Sequence, residues 1–203
     1  MQPITSLRLS MCLVLGLGTS VAAQTSPTEH AWSDGTTLNA FGGVSVASSD
    51  AGPLAGGGAG WELTPLFALD GRFGWANGLD GADTFAASLT FNANLQRARP
   101  CVPFIKAGVG LYRASFASVD DMPSFYSSRA GDNESSVPTK IFTDPSIVVG
   151  TGVNIFASRH FAVRPEVALT FVFDGGRTYT VPTVTFHVAY HFESHPVTPS
   201  RTR

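Results

Sequence analysis

Along most of the chain, apolar and polar side chains alternate one for one. In residues 181–192, Val184, Phe186, Val188, Tyr190 and Phe192 share one face, opposite Thr183, Thr185, His187, Ala189 and His191. Residues 163–174 set Val163, Pro165, Val167, Leu169, Phe171 and Phe173 against Arg164, Glu166, Ala168, Thr170 and Asp174. Residues 83–95 oppose Phe85, Ala87, Leu89, Phe91 and Ala93 to Thr84, Ser88, Thr90, Asn92 and Asn94. A helix cannot sort side chains this way, because residues two apart lie on different helical faces. Five further segments, 36–48, 54–63, 67–75, 103–115 and 146–157, carry the pattern with less contrast, and no amphipathic helix of useful length is evident. Eight alternating strands separated by turn-rich stretches predict an all-β barrel or sandwich.

Periodicity alone does not say which solvent the apolar face meets. A soluble barrel of lipocalin type hides it inside, whereas a transmembrane barrel turns it to lipid and keeps polar groups in the lumen. Three features favour lipid. The polar faces carry Glu62, Asp70, Arg72, Lys106, Arg164 and Glu166, three acids and three bases. That is sparse for a wetted surface but suits a small lumen in which charges pair. The connections alternate: 64–66, 96–102 and 158–162 are short, while 49–53, 76–83, 117–144 and 174–180 are mostly longer and more polar. Short turns at one rim and long loops at the other are the periplasmic and outer ends of bacterial barrels. Finally, Trp61, Phe67, Trp75, Phe171, Phe173, Tyr190 and Phe192 sit near strand ends on the apolar faces, as interfacial girdles require.

Composition narrows the class further. The 203 residues are 43% hydrophobic and 14% charged with a net charge of −2, too few ions for a disordered chain and no basic surface for nucleic acid. Arg8, the apolar run 9–17 and Val21-Ala22-Ala23 read as a secretory signal peptide over 1–23, cleaved before Gln24. Its loss removes Cys12 and leaves Cys101 alone in a short turn, so no internal disulfide is expected. Residues 24–35 then form a loose lead-in, 36–193 the barrel and 194–203 a short tail.

PFIKAGVGLYR (103–113), GTGVNIFASRHFAVRPEVALTF (150–171) and VAYHF (188–192) resemble strands of the small OmpA/OmpX/OmpW-type outer-membrane barrels. The resemblance implies an eight-stranded antiparallel up-and-down transmembrane β-barrel, embedded in outer-membrane lipid and inserted by the barrel assembly machinery. Thr185, Tyr190 and Phe192 match the family's terminal assembly signal, although His187 stands where glycine is usual and the chain continues through Glu193 to Arg203.

Catalytic chemistry is not expected, nor are a cofactor or a metal. His187, His191 and His195 are spaced by four, but on a strand that step spans about 13 Å, too far to share a zinc ion. AGGGAG (55–60) lacks the Lys-Ser/Thr of a phosphate loop. A lipid A deacylase-type enzyme would need a His-x-Ser pair facing lipid, and His160 near Ser158 lies in a rim turn instead. A palmitoyltransferase-type site would draw on loop residues such as Asp120, Asp121 or Ser124, which read as solvated. The segment 117–144, with Phe125, Tyr126, Arg129, Asp132, Asn133 and Glu134, has the composition of a mobile loop and is the expected place for a surface ligand. The reading is a structural or surface-interaction barrel with a side-chain-filled lumen; a lipid-modifying enzyme and OmpW-like passage of small apolar solutes are the alternatives.

Overall fold

The computed structural model describes residues 35–47, 50–79, 82–95, 100–117, 122, 124–130, 140–158, 160–174 and 176–192. Eight strands follow one another: β1 (Gly35–Ala47), β2 (Asp50–Thr64), β3 (Phe67–Leu79), β4 (Ala82–Asn94), β5 (Cys101–Phe116), β6 (Lys140–Phe156), β7 (Phe161–Asp174) and β8 (Arg177–His191). One short helix, α1 (Ser124–Ala130), lies between β5 and β6. Each strand pairs antiparallel with its neighbours in sequence, and β8 returns to β1 through Thr37↔His191 to Ser45↔Thr183. The sheet is a closed barrel with no free edge, which a lipid environment requires because it offers backbone groups no hydrogen bonds.

The period-two pattern decides which way each side chain points. Val167 is 51% exposed and Phe186 62%, whereas Thr90 and His187 on the opposite phase are 0% and 1% exposed. Apolar groups therefore coat the outside and polar groups fill the middle, the inverse of a soluble barrel. Among the described residues no helix is long and apolar enough to cross a membrane; the chain crosses with strands. Around the rim that holds Gly35 and His191, Trp61, Phe67, Phe161, Tyr190 and Phe192 are all exposed. Phe67 stacks on Phe91, and Tyr190 meets both Phe161 and Phe192 edge-on. At the opposite, distal rim, the outward-facing Trp75 pairs in register with Phe85. Phe73 and Phe186 depart from the girdle pattern, standing mid-strand on the outer wall.

Three expectations are corrected. First, loop-length alternation does not hold. Only two residues separate β1 from β2, β3 from β4 and β7 from β8, so the distal rim owes its asymmetry to the β5–β6 connection alone. The polar, glycine- and proline-containing stretches counted as loop continue the ladder: a strand that clears the apolar zone no longer needs apolar side chains, yet its backbone still pairs. Second, Cys101 is not in a turn but opens β5, exposed and opposite Ile155. Third, the β5–β6 connection is not simply a solvated loop. Within it α1 and Met122 place Met122, Phe125 and Tyr126 in a buried cluster with Ala76, Tyr112, Phe116, Val172, Tyr179 and Val181. Phe125 stacks on Tyr179 at 5.4 Å, and Tyr126 packs against Phe116 at 5.0 Å. Burying such rings outweighs the polar composition of their neighbours in sequence. A smaller apolar cluster of Val102, Phe156, Ala162 and Ala189 occupies the terminal end.

Expectations for residues 1–34, including the signal peptide and all but the last residue of the lead-in, lie outside the described residues. So do those for the tail from Glu193, His195, Asp120, Asp121, Asp132, Asn133 and Glu134.

Candidate functional site

Between the two apolar clusters the lumen holds five ionised side chains, each less than a tenth exposed. Register brings them together. Asp70 and Arg72 are successive inward positions of β3, Arg164 and Glu166 successive inward positions of β7, and Lys106 projects inward from β5. Two inward glycines make the room. A Cβ on Gly58 would lie 3.0 Å from Arg72 Cγ and 2.5 Å from the Gly71 carbonyl. A Cβ on Gly150 would lie 3.0 Å from Lys106 Cε and 2.7 Å from the Val167 carbonyl. The long charged side chains thus face glycine across the sheet.

Arg72 is the centre. Its Nη1 donates to both Glu166 oxygens at 2.7 and 2.8 Å, while Nη2 and Nε donate to Asp70 Oδ2 at 2.6 and 3.0 Å. Arg164 Nη1 donates to the same Asp70 oxygen at 2.9 Å, and its Nε to Asn154 Oδ1 at 2.6 Å. Lys106 Nζ donates to Glu166 Oε1. Asn92 Nδ2 adds a bond to Asp70 Oδ2 at 3.3 Å, and the Arg164 guanidinium lies 5.1 Å from the Phe104 ring centroid. His187 closes the group: Nε2 sits 2.9 Å from Thr185 Oγ1 and 3.8 Å from Glu166 Oε2, with Phe41 packed on its ring at 4.7 Å. Charges this buried persist only when partners and hydrogen bonds replace lost water, and each acid here has at least two cationic partners.

Of the six residues expected to share the lumen, Glu62 stands apart. It sits opposite Gly35 at the terminal rim and faces His191 Nδ1 at 3.2 Å. The reason is β2's own glycine run: the inward places level with Arg72 and Asp70 are Gly58 and Gly60, so Glu62 falls one further step along the strand. His187 and His191 serve different partners. Thr185 is buried against His187, while Tyr190 and Phe192 face outward. His160, in the turn before β7, places Nδ1 2.9 Å from the His191 carbonyl. Asn92 shares its strand's polar face in the alternation, but its bond to Asp70, like the parts played by Asn154 and Phe104, follows only from cross-strand register. The inward phase of the alternation was the available signal for all three.

A polar, ion-paired lumen inside an apolar wall closed by eight antiparallel strands defines a transmembrane β-barrel. Comparison with known proteins places it further: residues 9–192 match the family model "Outer membrane protein beta-barrel domain", and the chain belongs to that family. Its location is accordingly the bacterial outer membrane. Among solved structures it is similar to the N-terminal β-barrel domain of Pseudomonas aeruginosa OprF, at 15% identity over 78% of this chain and 98% of that one, with TM-score 0.59. It is similar also to Neisserial surface protein A (16% identity, 78% and 96% covered, TM-score 0.55). A third is Ail, the attachment invasion locus protein of Yersinia pestis (12% identity, 78% and 97% covered, TM-score 0.50). At these identities the likeness is one of fold. No curated protein matches the sequence.

Proposed function

We propose that this chain is a non-catalytic outer-membrane barrel, exported through a signal peptide over residues 1–23 that is then cleaved, and that it stabilises the envelope and presents its distal rim to a partner. The supporting observation is the lumen. The Asp70, Arg72, Lys106, Arg164 and Glu166 group and the aromatic cluster around Tyr126 fill it with side chains at two levels. An eight-stranded barrel has an interior about wide enough for side chains, and one filled this way is suited to bracing the wall rather than to passing solute. The charge network is thus a structural brace, with Glu62 and His191 a separate one near the rim. Thr185, Tyr190 and Phe192 act as the assembly signal read by the insertion machinery, and the segment 117–144 carries contact with a surface ligand.

Deleting the gene in the native cell tests this. The protein is expected in the outer-membrane fraction with heat-modifiable gel mobility, and the deletion strain is expected to keep its lipid A acylation pattern while becoming more sensitive to detergent. Altered lipid A acylation would overturn the reading in favour of an enzyme. Purified barrel in planar bilayers should be electrically silent; stable open channels would overturn the filled lumen.

A further inference from the structure

We propose that the lumen holds a small inorganic monovalent anion, chloride or a like halide, beside the Lys106 ammonium. A cavity of about 90 Å³ lies between the ion group and the aromatic cluster, lined by Arg72, Lys106, His187, Glu166 and hydroxyls including those of Ser146 and Thr185. That is room for an ion and a water or two.

Charge and donor geometry both point to an anion. Among the described residues, the acids that pair with Arg72, Lys106 and Arg164 are Asp70 and Glu166, so, His187 aside, the group carries one surplus positive charge. Glu62 is engaged with His191, and Asp144, buried on β6, does not line the cavity, so neither supplies the missing charge. An ammonium has three donors, and Lys106 directs one to Glu166. Its remaining N–H groups and the Ser146 hydroxyl offer donors to an acceptor-only guest, and a net positive wall in a low-dielectric interior favours one that is charged. Glu166 opposes an anion, but both its oxygens are already bonded to Arg72, and one also to Lys106. Polyatomic oxyanions of higher charge fit the single surplus charge less well.

Bromide reports the site directly. Crystals grown in bromide should show an anomalous peak within hydrogen-bond reach of Lys106 Nζ. In neutral detergent at fixed ionic strength, the thermal midpoint of the full barrel, followed by circular dichroism, should rise by a few degrees and saturate as gluconate is replaced by chloride. Lys106→Met should abolish that dependence. Should this variant fail to fold, Ser146→Ala, which keeps the charge count, should weaken the halide response several-fold. Bromide confined to the outer surface together with a midpoint indifferent to halide would overturn the proposal.

Discussion

Charge arithmetic in the lumen makes an asymmetric prediction about its acids and bases. Glu166→Gln removes one of two anions and leaves Arg72, Lys106 and Arg164 facing Asp70 alone, raising the local surplus from one positive charge to two. Breaking a buried pair in this sense costs about 3–5 kcal/mol, because the stranded charges are not rehydrated. Lys106→Met moves the count the other way. Glu166 keeps its two-pronged bond to Arg72, Asp70 keeps both arginines, and the group becomes neutral. In halide-free buffer the lost Lys106–Glu166 bond is then offset by removal of an unmatched buried charge, and the stability should stay within about 1 kcal/mol of wild type. Urea unfolding in lipid vesicles, followed by the fluorescence of the lipid-facing Trp61 and Trp75, measures both. With a slope of about 2 kcal/mol per molar, Glu166→Gln should lower the midpoint by roughly 2 M and Lys106→Met by less than about 0.5 M. Equal losses would refute the charge count and point to side-chain packing as the governing quantity.

Three more outcomes follow from facing and packing. Leu169 lies on the lipid side and Thr170 on the lumen side of β7, so Leu169→Arg should cost about 2–4 kcal/mol of folding into bilayers. Thr170→Arg should cost less in the same refolding assay, and equal costs would contradict the facing. Gly150→Val drives new carbons against Ala168, the Val167 carbonyl and Lys106; urea titration should find it destabilised by about 1–3 kcal/mol. Replacing Phe125 and Tyr126 together by alanine removes the rings that anchor α1 in the distal mouth. Limited proteolysis should then cut the 117–144 segment much faster, while the barrel keeps its heat-modifiable mobility.

Facing was legible in the sequence because a strand's side chains obey a strict two-residue period, set by covalent geometry and unaffected by what lies across the sheet. Val184 to Phe192 and Thr183 to His191 could be assigned to opposite walls before any partner was known. The scarcity of ions on the polar phase then said which wall met lipid. Strand ends were less legible, since beyond the apolar zone hydropathy stops tracking pairing; residues 50–53 and 177–180 look like loop and are ladder.

What only the tertiary structure decided is which of those side chains meet. Arg72 and Glu166 lie 94 positions apart in sequence, and nothing local says that their levels coincide. Their bond depends on the cumulative stagger around a closed barrel, a property of the whole sheet. The same stagger sets Glu62 beside His191 rather than in the central group. The burial of Tyr126 was likewise hidden, because a ring in a polar segment has no period to betray it. Its place follows from a cavity that exists only once eight strands have closed around it.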